Sequence, residues 1–153
     1  MPSPSAESDP FGLQRFVAAQ APVQAQVMAE LRAGRKASHW MWFVFPQLAG
    51  LGSSPMAQRF AISGAAEALA YLAHPLLGAR LRECTALVMQ VPGRSLGEIL
   101  GTPDDLKFRS CMTLFEAVSG EALFGEALQR CCGGERDART LALLSAAPPC
   151  RSR

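Results

Sequence analysis

The side chains best suited to bind a ligand or take part in a reaction are concentrated between Leu31 and Ala66. This segment carries basic residues but no acidic residue, and two tryptophans and three phenylalanines lie among them. Cations neutralise phosphate oxygens, and aromatic rings stack on planar bases. The pattern predicts a pocket for a small anionic or nucleotide-like ligand. The residues of this segment that we expect to bind it are Arg35, Lys36, Trp40, Trp42, Gln47, Ser54 and Arg59.

His39 is the residue of this segment best suited to proton transfer. The unperturbed pKa of histidine lies near ~6.5, so its imidazole can act as a general base at neutral pH. The alternative is a structural histidine beside Trp40. The other histidine, His74, precedes Pro75 and is expected to cap a helix.

A second polar cluster, Lys107 to Ser110, interrupts an otherwise apolar helix pattern. Lys107 and Ser110 are three residues apart and can face the same way on a helix. We assign Lys107 a catalytic role with His39, and we assign Arg109 and Ser110 to ligand binding. The alternative is a surface strip of ion pairs formed with Asp104 and Asp105. Within it, Asp105 and Arg109 have the favourable spacing of four.

The chain matches no motif for a metal or a cofactor. Its two histidines and five cysteines do not have the spacing of a zinc site, and the glycine patterns of phosphate-binding loops and nucleophile elbows do not occur. We therefore expect no metal and no cofactor. Cys84 and Cys111 lie on apolar faces and are expected in the core.

Three functional hypotheses remain open. The first is a small enzyme, a hydrolase or group transferase, acting on a nucleotide-like or phosphorylated metabolite. The second is a non-catalytic sensor that uses the same pocket. The third is a protein-interaction domain with an exposed aromatic patch. An enzyme requires the histidine and the basic groups to converge in a concave site, whereas an interaction domain requires exposed tryptophans.

Helix signals recur along the whole chain and must position these groups. Ser54 precedes a proline, Ser95 and Glu98 have capping-box spacing, and Asp104 begins a long helix. No segment shows sustained alternation of apolar and polar residues. The sequence predicts an all-α, mainly helical single compact domain of about seven or eight short-to-medium helices. This domain spans residues 9–144, between a disordered leader (1–8) and a disordered tail (145–153).

The aromatic run from Trp40 to Phe45 is ambiguous. It is apolar enough for a buried strand, but Pro46 stops it after a few residues. We favour a helical turn capped by Ser38.

Composition limits the class of protein. Apolar residues make up 49% of the chain and charged residues 18%, which is typical of a globular domain. The net charge of +2 gives no sign of nucleic-acid binding, and the apolar runs are too short to cross a membrane. The N-terminus lacks the features of a secretory signal. We expect a cytoplasmic protein with reduced cysteines, and its oligomeric state stays open.

Four segments together resemble a bacterial family known as domain of unknown function 1810. The strongest is SHWMWFVFPQLAGLGSSPMAQRFAIS (Ser38–Ser63), in which two tryptophans stand in a distinctive context. The others are DPFGLQRFVAAQ (Asp9–Gln20), AYLAHPLLGARLREC (Ala70–Cys84) and DDLKFRSCMTLFEAV (Asp104–Val118). The resemblance covers residues 9–144 and implies a small, mostly helical bacterial domain, with no catalytic roles to assign.

Overall fold

A computed structural model describes residues 9–146, and helices dominate it. Within this range the chain forms ten helices and no strand, apart from an isolated parallel bridge between Leu48 and Ile62. The helices are α1 (Gln14–Gln20), α2 (Gln24–Ala33), α3 (Met41–Val44), α4 (Pro55–Arg59), α5 (Ala65–Ala73), α6 (Leu77–Gln90), α7 (Leu96–Leu100), α8 (Asp104–Ser119), α9 (Ala122–Cys131) and α10 (Ala138–Ala146). The all-α prediction is confirmed, with more helices than the expected seven or eight.

The predicted boundaries can be compared only in part. The leader, residues 1–8, and most of the tail, residues 147–153, lie outside the described residues. Ser145 and Ala146, which we assigned to the tail, belong to the last turn of α10.

The core forms around the two longest helices, α6 and α8. Helices α5 and α9 each pack against both of them, and α10 packs on α8. An apolar stripe of α6 is buried at Leu77, Leu81, Cys84 and Val88. Such a stripe drives helix packing because it removes apolar surface from water.

One glycine sets the distance between α5 and α6. A Cβ atom on Gly78 would lie 2.1 Å from the carbonyl oxygen of Leu72, so no larger residue fits there without a backbone shift. His74, between the two helices, accepts hydrogen bonds at Nδ1 from the backbone N–H groups of Leu76 and Leu77. It therefore caps α6, as the sequence predicted.

The helix starts predicted at Ser54 and Ser95 are confirmed. The Ser54 hydroxyl accepts a hydrogen bond from the N–H of Ala57, and Ser95 and Glu98 form a capping box. Gly34 and Gly120 end α2 and α8 in the left-handed conformation, with φ of 75° and 71°. These caps fix where the helices begin and end, and so they position the loops between them.

The aromatic run forms the single helical turn α3, as we favoured, but Ser38 is not its cap. Trp40 stands at the N-cap position, and no side chain caps the turn. The Ser38 hydroxyl instead donates a hydrogen bond to Glu30. A buried acid in α2, rather than a local cap, organises this loop.

None of the helices within residues 9–146 has both the length and the apolar character required to cross a bilayer.

Candidate functional site

An open cleft of about 480 Å³ lies between the loop that precedes α4, the first turns of α8 and the start of α10. We call it the Lys107 cleft. The polar side chains that line it are Gln47, Ser53, Ser54, Lys107, Ser110, Asp137 and Arg139. Two cations, three hydroxyls, an amide and a single carboxylate therefore face the same space.

Long-range contacts hold the loop at this position. Backbone hydrogen bonds of 2.8 and 2.9 Å join Ala49 and Gln47 to Ile62 across the isolated bridge. The Arg139 guanidinium donates to the Gly50 carbonyl oxygen at 3.1 Å and so ties the loop to α10. Gly52 lies so close to α4 that a Cβ atom there would meet the Cβ of Ala57 at 2.7 Å.

The Lys107 ammonium is held by two partners. Its Nζ lies 5.5 Å from the ring centroid of Trp42 and 3.6 Å from Oδ1 of Asp104. A cation over an indole face is attracted by the ring quadrupole. The side chain keeps 27% exposure, so it is both positioned and open to a ligand.

Lys36 shares the Asp104 carboxylate with Lys107. Its Nζ lies 3.0 Å from the other oxygen, Oδ2, and 5.2 Å from the Trp40 ring centroid. The Lys36 side chain is only 9% exposed. We predicted Lys36 as a ligand-binding residue, but the structure places it in an ion pair outside the lining of the Lys107 cleft.

Trp40 is also placed differently from our expectation. Its side chain is 1% exposed, and its indole Nε1 donates a hydrogen bond of 2.9 Å to Oε1 of Glu30. A ring sealed in the core cannot stack on a ligand. Trp42 is half-buried. It does not line the cleft itself, but its ring contacts Lys107, which does.

The structure brings together four of the predicted site residues, Gln47, Ser54, Lys107 and Ser110. Arg35, His39 and Arg59 are exposed and do not line the cleft. The predicted catalytic pair of His39 and Lys107 therefore does not converge there.

Arg109 faces a different cleft, which we call the Arg109 cleft. It has a volume of about 370 Å³ and is lined by Ser95, Leu96, Gly97, Asp105, Leu106, Arg109, Cys131 and Cys132. The expected Asp105–Arg109 ion pair does not form. Asp105 accepts from its neighbour's backbone N–H, whereas Arg109 pairs with Glu135 at 3.2 Å.

Sequence reasoning missed Ser53, Asp137 and Arg139 in the Lys107 cleft. The Asp137 carboxylate accepts hydrogen bonds from the N–H and the hydroxyl of Thr140, so it caps α10. The D-x-x-T spacing was a signal for this cap. Arg139 had no comparable local signal, because its partner Gly50 is 89 residues away in the sequence.

Glu30 is the other charged residue that the sequence did not mark. Burial alone would raise the pKa of its carboxyl, but hydrogen bonds from Ala37, Ser38, Trp40 and Gln26 outweigh that effect and lower the pKa to about 2. The carboxylate is therefore ionised at neutral pH and fixes the loop between α2 and α3.

Residues 10–144 match the model of a family described as Protein of unknown function (DUF1810). The chain belongs to the DUF1810 family. The resemblance seen in the tryptophan-containing segment is thereby confirmed.

A solved structure resembles this DUF1810 chain closely. It is the crystal structure of the conserved hypothetical protein Rv1873 from Mycobacterium tuberculosis, with 60% sequence identity and a TM-score of 0.89. The match covers 91% of this chain and 100% of that chain. No curated protein matched the sequence.

Neither a metal-binding group of side chains nor a buried thiol is part of the Lys107 cleft as the described residues form it. Over residues 9–146, no three side chains among His, Cys, Asp and Glu are grouped so that they could hold a metal ion. Burial raises the pKa of the Cys84 thiol to about 12, and burial likewise raises the pKa of Cys111. Both thiols therefore stay protonated in the core, as the sequence predicted.

Proposed function

We propose that this chain is a cytoplasmic, non-catalytic binding domain for a small phosphorylated metabolite, held in the Lys107 cleft. The observation that carries the proposal is the partly exposed Lys107 ammonium, fixed by Trp42 and Asp104 at the edge of a cleft that also contains Arg139. A positioned cation loses little side-chain entropy on binding an anion.

The other polar groups favour a ligand that carries hydroxyls. Gln47 and Asp137 can accept hydrogen bonds from ligand hydroxyls, while Ser53 and Ser110 lie on the same walls. Trp40 lies in the core, and Trp42 lies against Lys107, so neither indole lines the Lys107 cleft where a base could stack. The arrangement supports a sugar phosphate over a nucleotide.

The binding reading is preferred to an enzyme or an interaction domain for geometric reasons. The enzyme hypothesis required His39 to meet Lys107, yet His39 is exposed outside the lining. The interaction hypothesis required exposed tryptophans, yet Trp40 is 1% exposed and Trp42 is half-buried.

A thermal-shift titration with a panel of sugar phosphates tests the proposal. A ligand at 100 times its dissociation constant adds about 2.7 kcal/mol to the free energy of unfolding. A sugar phosphate that binds the cleft should therefore raise Tm. We expect Lys107→Gln to reduce this shift, because it removes the fixed cation. Arg35→Gln is the matched control, since it removes an exposed cation outside the cleft and leaves the shift unchanged.

Two results would contradict the proposal. One is the failure of every sugar phosphate to raise Tm; the other is an equal shift in the Lys107→Gln variant. His39→Ala separates binding from catalysis. We expect it to bind as the parent does, and phosphate release by the parent that this substitution abolishes would establish an enzyme instead.

A further inference from the structure

A pair of adjacent thiols opens into the Arg109 cleft, away from the proposed ligand site. Cys131 is the last residue of α9 and Cys132 is its C-cap. Both are free, both are half-buried, and both line the same space of about 370 Å³. The two other cysteines of residues 9–146, Cys84 and Cys111, are sealed in the core.

The helix end explains how neighbouring residues can face one space. Successive side chains on a regular helix point in different directions, because each residue is rotated by about 100° from the one before it. Cys132 leaves the helical conformation, with φ of −125° and ψ of 16°. The two side chains therefore need not diverge as they would within a regular helix, and both contribute to the lining of the Arg109 cleft.

A disulfide between these two sulfurs is disfavoured. Consecutive Cα atoms are about 3.8 Å apart, whereas disulfides usually need about 4.4 to 6.8 Å. An atom inserted between the sulfurs enlarges the ring and relieves that restriction. The pair is therefore better suited to bridging by a thiophilic atom than to direct oxidation.

The raised pKa values of the two thiols determine which thiophilic group suits the pair. Burial, together with the neighbouring Cys131, raises the pKa of Cys132 to about 11; burial also raises the pKa of Cys131. Zinc and copper bind thiolates and must displace both protons. A trivalent arsenical condenses with two neutral thiols and needs no net ionisation.

We propose that Cys131 and Cys132 form a dithiol site for trivalent arsenicals. With phenylarsine oxide as the probe, two arsenic–sulfur bonds form while the arsenic–oxygen double bond and two S–H bonds break. The oxygen leaves as water with both protons, and arsenic stays trivalent, so the step needs no oxidant. The space beside the Arg109 side chain accommodates the organic group of the arsenical.

Native mass spectrometry of the full chain with phenylarsine oxide tests this site. All proteins carry Cys150→Ser, so that the four cysteines of residues 9–146 are the only ones present. We expect one equivalent to stay bound after desalting, to be released by excess dithiothreitol, and to protect two thiols from iodoacetamide. Cys131→Ser and Cys132→Ser should each weaken binding on the order of tenfold or more, because a single thiol cannot chelate.

Controls separate this site from folding and from the Lys107 cleft. Circular dichroism establishes that each serine variant is folded, and Lys107→Gln should bind the arsenical as the parent does. The proposal fails if the parent retains no arsenical, or if either serine variant retains a full equivalent.

Discussion

At the scale of single residues, two charged side chains join segments that helix packing alone does not fix. The Glu30 carboxylate accepts hydrogen bonds from Ala37, Ser38 and Trp40. Arg15 donates to the carbonyl oxygen of Arg59 at 2.8 Å and to the carboxylate of Glu67 at 2.9 Å. Hydrogen bonds to ionised groups contribute more than neutral ones, so each of these residues stabilises an irregular segment.

Glu30→Gln should destabilise the protein in a pH-dependent way. The carboxyl has a pKa of about 2 when folded, against 4.5 for the reference group. Above pH 4.5 its full contribution, about 3 kcal/mol, is present. As the pH falls below 4.5 the unfolded chain takes up the proton first, so the contribution declines and is lost as the pH approaches 2.

Urea denaturation of Glu30→Gln and of the parent between pH 3 and pH 7 measures this difference. Glu126→Gln, which changes an exposed glutamate of α9, is the control and should stay within about 0.5 kcal/mol of the parent. A difference for Glu30→Gln that does not shrink towards acidic pH would contradict the assignment.

At the scale of elements, close approach between helices depends on where glycine stands. Gly78 allows α6 to meet the carbonyl of Leu72, whereas Gly97 in α7 has open surroundings, with its nearest prospective contact at 3.6 Å. Both glycines lie within helices, where alanine is intrinsically favoured. The effect of an alanine substitution on stability is therefore determined by packing at Gly78 and by helix propensity at Gly97.

The two alanine substitutions should have opposite signs. Gly78→Ala should lower the free energy of unfolding by about 2 kcal/mol, because the new methyl group forces α5 and α6 apart. Gly97→Ala should raise it by about 0.5 kcal/mol through helix propensity. Thermal and urea unfolding measure both, and a neutral Gly78→Ala would show that the two helices separate easily.

At the scale of the whole molecule, the sequence predicted the fold class well and the site only in part. Caps such as Ser54 and the box at Ser95 are local, so their sequence signals survive in the fold. The lining of the Lys107 cleft depends on contacts such as Arg139 to Gly50, which join distant parts of the chain. No local pattern could therefore indicate that His39 turns outward or that Trp40 enters the core.

Residues 9–146 should unfold as one cooperative unit. Trp40 is bonded to α2 through Glu30, and the Phe45 ring meets the Phe108 ring of α8 with centroids 5.0 Å apart. The tryptophan segment thus loses its packing when the long helices melt. Tryptophan fluorescence and far-ultraviolet circular dichroism should give coincident urea transitions. Separate midpoints would show that this segment opens independently.

The shared carboxylate of Asp104 has a consequence for electroneutrality. Its single negative charge faces the ammonium groups of both Lys36 and Lys107, so one unit of positive charge is uncompensated in this group of three. The longer contact, 3.6 Å, belongs to Lys107, and the shorter contact of 3.0 Å stays with the more buried Lys36. An anion bound beside Lys107 would complete this charge balance and would compete only with the weaker of the two contacts.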